Sequence, residues 1–542
     1  MHAAQLVSPQ RVALTRGRQW CMCMVSVHGH AHAGAMPTLA SLAGQASSNN
    51  SHHEHSQQQC RSKGLRARCA ASSASAILVP VSLRAARKHS GRTVAAHAAG
   101  GAAPPAPMID WDVVYAGGSL PPVFIGPVEV REAPGKGRGL FATRDLAPGE
   151  LVLVCAPLLY AASEGEGDIP STEEMAARLE TEALGATARA WLAGLHAGDE
   201  YASPKPLPPL GAPLAAGGDA ATLTEEEVAR EARFAVCALN VYGEEAQDLA
   251  ASAARGEGAS GHLGLWPEFA LLNHSCAPNA ANWTVGDRMV VRAAAPIPKG
   301  GEVLINYLGR GALKPCSERL LDLRDGYGFA CGCARCNAEM DGAHDAAVFA
   351  VQGVYEAVMN ELLPGLQAAL GGEGGGMVAA DDKRVRTLIN TARGQLAPLL
   401  QSMDATVAAA AGGAPASAPA EAAPSAGTLR AWLRGSGFEG YSLQAQLEGV
   451  EAQLSGATAP TPAAASAQAA MLATARDLSP ASDLHLFLAL RAAASAAGTP
   501  DADAADQEVT HVLGTRYGPG LSPATLERLR AAAQEAAARV AV

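Results

Sequence analysis

The sequence predicts an α+β protein: a small domain of short β-sheets, interrupted by a helical insertion and followed by an all-α carboxy-terminal region. Three observations predict it. Residues 123–154 read VFIGPVEVREAPGKGRGLFATRDLAPGELVLV, in which the β-rich runs VEVRE, GLFAT and LVLV are separated by the turn formers APGKG and APGE. Helical patterns then occupy about 161–265, before strand signals return in NWTVG, RMVVRAAAPI and GEVLINYL. Beyond 340 the chain is rich in Ala and Leu with a helical period.

The elements can be taken in chain order. Residues 1–109 hold eleven Lys or Arg and one acid, Glu54, so the first fifth of the chain carries +10 and the remainder −21. A basic, acid-poor, Ser/Ala-rich leader has the composition of an organelle transit peptide, expected over 1–105. Its length and Ser/Ala content favour a chloroplast over a mitochondrion; a leader with no address would leave the protein in nucleus or cytoplasm. The acidic body argues against nucleic-acid binding through the phosphate backbone. No run approaches the roughly 18 uninterrupted apolar residues of a membrane span.

The insertion begins with STEEMAARLETEALGATARAWLAGL, which is opened by a capping box of Ser171 with Glu174 and reads helical. SPKPLPPLGAP at 203–213 is a stiff linker, and a second box, Thr224 with Glu227, is expected to start a helix running to Asn240. In the tail, HDAAVFAVQGVYEAVMNELLPGLQAAL and KRVRTLINTARGQLAPLLQSM read helical, as do SDLHLFLALRAAASAAG and SPATLERLRAAAQEAAARV. A low-complexity tract at about 408–427 reads as a flexible linker. The helical domain, 341–542, offers a surface for a protein partner, but no fixed repeat period is visible.

Eleven cysteines are spread unevenly. Four lie in the leader, as do the histidine runs HGHAH and HHEH, which are read as incidental. Cys155 and Cys237 stand alone in apolar contexts and read as core. CGCARC brings Cys331, Cys333 and Cys336 together at C-x-C-x2-C spacing, which can wrap one ion. Zn²⁺ takes four ligands in a tetrahedron, so a fourth must come from elsewhere, and Cys276 and Cys316 are the candidates. Four thiolates leave no open position for substrate, so the expected role is structural.

Cys276 sits in LLNHSCAPNA, where Asn273, His274, Ser275 and Cys276 follow two leucines. The order GKGRGLFA (135–142), NHSCAPNA (273–280), GEVLINYL (301–308) and YGFACGCARC (327–336) resembles the SET-domain protein-lysine methyltransferases, cysteine-rich post-SET tail included. The nearest likeness is the subgroup in which SET is split by an insertion and followed by a helical domain, the SET-and-MYND type. It covers about 123–340. One departure is plain: the insertion offers only Cys237, His196 and His262, too few for a MYND zinc finger.

The resemblance implies a β-clip SET domain over 106–315 and a post-SET zinc segment over 316–340. It further implies an S-adenosylmethionine cofactor and a protein substrate presenting a lysine. Lys136, Gly137, Arg138, Asn240, Asn273, His274, Tyr307 and Phe329 are then expected at the cofactor, and Tyr307 and Tyr327 in the lysine channel as catalytic tyrosines. Cys276 becomes the fourth zinc ligand, leaving Cys316 free. GKGRG lacks the Walker spacing of a phosphate loop and reads as a tight turn whose backbone approaches the cofactor. Methyl transfer to an amine is an in-line displacement in which positioning does most of the work. The amine must be neutral, which an apolar channel favours by disfavouring its charged form. A plastid address points to a non-histone substrate, and a nuclear address to a histone lysine. A degenerate SET module that only binds partners is the alternative from another class.

Overall fold

The computed structural model describes residues 109–542, apart from 164–167, 199–200, 202–204, 215–218, 371–381, 411–423, 458–459 and 540–542. The expected leader and its histidine runs lie outside the described residues. All described residues fall within one compact unit, and none of its helices is long and apolar enough to cross a membrane.

Helix α1, Trp111–Tyr115, is capped by Asp110, whose carboxylate accepts from the Val113 N–H. The main sheet holds β1 (Phe124–Ile125), β4 (Leu151–Cys155), β9 (Ala280–Val285) and β10 (Arg288–Ala293), in the antiparallel order β1-β4-β10-β9. Strand β10, RMVVRA, is buried on both faces from Met289 to Ala293, Arg292 included. Met289, Val291 and Ala293 point into the core of the β domain, while Val290 points into a second core with carboxy-terminal helices. That alternation is the two-residue period of a strand. Strands β2 (Val128–Ala133) and β3 (Gly137–Ala142) form a hairpin in register from Val128 opposite Ala142 to Ala133 opposite Gly137. Its turn uses Gly135 and Gly137 at positive φ.

The insertion is not wholly helical. Strand β5 (Leu159–Ala162) pairs with β7 (His262–Leu265), which also pairs with β6 (Tyr242–Glu244), so a three-stranded sheet closes its base. The segment opened by Ser171 is helical as read, in two pieces, α2 (Thr172–Thr181) and α3 (Ala186–Gly194), separated by 182–185. Ser171 caps the first by accepting from the Glu174 N–H at 3.1 Å. The Thr224–Glu227 box forms in both directions, but it stabilises a turn; helix α4 begins only at Arg230 and ends at Asn240. Helix α5, Leu249–Arg255, follows with Asp248 as its cap.

Beyond the β domain come α6 (Cys316–Tyr327), α7 (Ala334–Met340) and α8 (Asp345–Glu356), which continues through a π-helical stretch, Ala357–Leu362, into α9 (Leu363–Leu370). Next are α10 (Asp382–Ala409), α11 (Ala426–Gly435), α12 (Phe438–Ser455) and α13 (Pro462–Leu478). The expected linker is therefore trimmed at both ends by helix. Helices α14 (Asp483–Ala496), α15 (Ala502–Tyr517) and α16 (Pro523–Arg539) close the described chain. Leu486, Phe487, Leu490, Val512, Leu513, Tyr517 and Leu529 from these three helices bury Trp283, Val285 and Val290 of the main sheet.

Candidate active site and metal centre

The site forms where two short strands meet. Strand β8 (Asn273–His274) lies parallel to β11 (Leu304–Ile305), pairing Asn273 with Leu304 and His274 with Ile305. Only Leu304–Ile305 of GEVLINYL is strand, so Tyr307 stands two residues beyond its end and not within it. The Ser275 N–H donates to the Ile305 carbonyl at 2.9 Å, and the Asn279 side chain joins both segments through Glu302 O and Leu304 N. The two motifs are thus locked side by side.

One side of this crossing is polar. The Asn273 amide donates to the Arg138 carbonyl at 3.0 Å and to Glu302 at 2.7 Å, and Lys136 pairs with the same carboxylate at 2.7 Å. Glu302 thereby ties the GKGRG turn to the NHSC segment. Sequence reasoning missed it; the available signal was a lone acid at the start of an apolar run. A Cβ on Gly139 would lie 2.7 Å from Glu302 Oε1 and 2.9 Å from Asn273 Nδ2, whereas one on Gly137 would meet open space. Gly137 is instead required by its φ of +77°. The Arg138 guanidinium donates to the Gly194 carbonyl, and burial lowers its pKa. The Asn240 amide donates to His196 O and Val236 O, both at 2.8 Å. Arg138 and Asn240 therefore hold the same turn after α3.

The other side is aromatic. The rings of Tyr307 and Tyr327 lie 5.0 Å apart, His274 is 5.3 Å from Tyr307, and Phe329 is 6.2 Å from both His274 and Tyr327. The Tyr307 hydroxyl donates to Leu272 O at 2.5 Å, and the Tyr327 hydroxyl to Tyr307 O at 2.8 Å. Burial pushes both phenols far above their ordinary pKa, so they remain neutral donors. His274 is pushed down to about 4, chiefly by burial, and stays neutral. Its Nδ1 accepts the Tyr307 backbone N–H at 3.0 Å, and its Nε2 lies 3.3 Å from Cys276 Sγ.

Behind the rings lies the cysteine cluster. The sulfurs of Cys276, Cys331, Cys333 and Cys336 all fall within 4.8 Å of one another and are buried. Cys276 and Cys336 are 3.6 Å apart, close to the ~3.8 Å edge of a tetrahedron with Zn–S near 2.3 Å. This group can hold a metal ion. Cys316 packs against the cluster without joining the four, which chooses between the two candidates for the fourth ligand. Two fully buried arginines border it. Arg319 donates to Glu339 at 3.0 Å and reaches Cys336 Sγ at 3.5 Å; Arg335 donates to Glu339 at 2.8 Å, to Cys276 O at 3.0 Å and to Ser436 at 2.7 Å. Neither arginine was anticipated, since Arg on a short helix normally faces water.

Sequence comparison agrees with this geometry. Residues 137–308 match the family model described as "SET domain", so this stretch of the chain is a SET domain. Relatives with lysine methyltransferase names are among those the chain is similar to. It is 42% identical over 77 residues to the histone-lysine N-methyltransferase SMYD3 of Mus musculus, covering 14% of this chain and 18% of the relative. It is 40% identical over 80 residues to the N-lysine methyltransferase SMYD2 of Homo sapiens, with the same two shares. The match thus spans under a fifth of these relatives' length. Among solved structures, the SET domain of LSMT bound to lysine and AdoHcy is similar at 12% identity, covering 61% of this chain and 89% of that one, with a TM-score of 0.21.

Proposed function

We propose that this protein is an S-adenosylmethionine-dependent protein-lysine N-methyltransferase. The observation that carries the reading is the pair Tyr307 and Tyr327, packed beside His274 and Phe329 at the end of the β8–β11 crossing, with both hydroxyls turned onto backbone carbonyls. The residues fit the cofactor chemically. The opposed charges of Lys136 and Glu302 beside Asn273 suit the amino-acid end of the molecule, and the rings of Phe329 and His274 suit an adenine. When bound, the cofactor would supply a methyl group on a positively charged sulfur.

The chain's own residues would do the rest. The aromatic walls exclude water and disfavour a charged amine, so the lysine enters with its lone pair free. The Tyr307 and Tyr327 oxygens and the Leu272 carbonyl line the approach with partial negative charge. These can meet polarised methyl hydrogens through weak C–H···O contacts and hold the amine in line. With the cofactor bound, these groups would hold the amine nitrogen in line with the methyl group that the cofactor supplies. Zn²⁺ at the four cysteines would serve structure only. Residues 1–105 are proposed to direct the protein to a plastid, on their basic composition alone, and the substrate is then a non-histone protein.

The test is transfer from radiolabelled S-adenosylmethionine to an extract by the purified protein, with Tyr307→Phe beside it. Label on lysine, lost about 100-fold or more in the variant, supports the enzyme. Absence of cofactor binding by calorimetry would replace it with a partner-binding SET module.

A further inference from the structure

Two backbone and side-chain contacts of His274 have a joint consequence. A backbone N–H can only donate, so the Tyr307 N–H at 3.0 Å requires Nδ1 of His274 to be the acceptor. In the neutral ring the proton is then on Nε2, the atom 3.3 Å from Cys276 Sγ. The histidine therefore donates toward a cysteine of the metal cluster through one nitrogen and receives from the catalytic tyrosine's backbone through the other. His274 is buried, so water does not compete for either contact.

We propose that His274 is a positioning residue coupling the four-cysteine metal site to Tyr307, its Nε2–H donating to the Cys276 sulfur while its Nδ1 holds the Tyr307 N–H. This rests on the reading of Tyr307 as catalytic. A metal-bound thiolate is a stronger acceptor than a thiol, so an ion at the cluster fixes the Nε2–H tautomer and with it the acceptor beneath Tyr307. From Tyr307 the register continues: its own carbonyl receives the Tyr327 hydroxyl at 2.8 Å, and its hydroxyl donates to Leu272 O. One ring thus links a structural metal to both channel tyrosines. Arg319 also faces the cluster, reaching Cys336 Sγ at 3.5 Å, and its guanidinium further donates to Lys314 O, Ser436 and Glu339.

Two substitutions separate the halves of the link. The Asn side-chain oxygen can take the place of Nδ1, and the Gln side-chain nitrogen the place of Nε2. His274→Asn keeps the acceptor for Tyr307 and loses the donor to sulfur; His274→Gln keeps the donor and loses the acceptor. On the full zinc-loaded chain, His274→Asn is expected to release metal to a chromophoric chelator about tenfold more readily, with His274→Gln near the parent. The Tyr307 amide resonance, in ¹⁵N-tyrosine-labelled protein, should move in His274→Gln and stay in His274→Asn. Ring ¹⁵N correlations of the unmutated chain provide the check that needs no variant: the buried histidine that responds to metal removal should carry its proton on Nε2. A proton on Nδ1, or equal metal release from both variants, overturns the proposal. None of these readouts requires methyl transfer, so an inactive protein that passes them would sink the enzyme reading alone.

Discussion

Arg516 and Asp248, 268 residues apart in the chain, form a buried ion pair at 2.6 Å that fastens α15 to the cap of α5. Asp483 joins the same guanidinium at 2.7 Å, the Tyr517 hydroxyl donates to Asp248 at 3.0 Å, and the Arg516 guanidinium lies 5.1 Å from the Trp283 ring centre. The carboxy-terminal helices are thus anchored to the β domain by charge as well as by apolar contact.

Removing Arg516 leaves the fully buried Asp248 carboxylate, with the partly exposed Asp483 beside it, without their cation. Arg516→Leu should destabilise the protein by about 3–5 kcal/mol, read by denaturant unfolding. A loss under about 1 kcal/mol would mean that water reaches Asp248 and the pair is not interior.

Glu244 gives the stability a pH dependence. Burial raises its pKa from 4.5 to about 7, against the hydrogen bond from Tyr242, which lowers it. Because the folded value is the higher one, this contribution is complete below about pH 4.5 and is lost as pH rises through 7. Glu244→Gln should therefore stabilise the protein at pH 8 by on the order of 2 kcal/mol and do nothing at pH 4. Thermal unfolding at the two pH values decides it; an equal shift at both refutes the assignment.

The fifth cysteine supplies a control for the metal site. Elemental analysis should find one zinc per chain in the parent and in Cys316→Ser, and a clear deficit in Cys276→Ser. Loss of metal from Cys316→Ser as well would place Cys316 among the ligands.

Gly139 tests how closely the GKGRG turn must approach the NHSC segment. Gly139→Ala places a methyl against Glu302 and Asn273, and overpacking of this kind costs about 1–3 kcal/mol. Cofactor affinity by calorimetry should fall at least about tenfold, since 1.4 kcal/mol is one decade. Unchanged affinity would separate Glu302 from the cofactor site.

Much of the scaffold was legible beforehand. VEVRE and GLFA are strands joined by a turn, as read, because alternation and a glycine turn are local properties. CGCARC and NHSC could be matched because ligand spacing is local too. Glu302 was not legible, since its partners Lys136 and Asn273 come from two distant segments, and neither was the burial of Arg319 and Arg335, which Glu339 and Ser436 make tolerable only after folding. The Thr224 box forms its hydrogen bonds but turns the chain instead of starting a helix, because a capping box satisfies backbone donors whether or not a helix continues. By itself the sequence determined the β runs, the cysteine spacing and the tyrosines beside them, through side-chain period and turn sterics that act within a few residues. Tertiary structure alone decided that the main sheet is covered on its second face and that His274 stands between the cysteine cluster and Tyr307. Each of those depends on which distant surfaces meet, and burial then makes every unmatched charge or donor costly enough to select one arrangement.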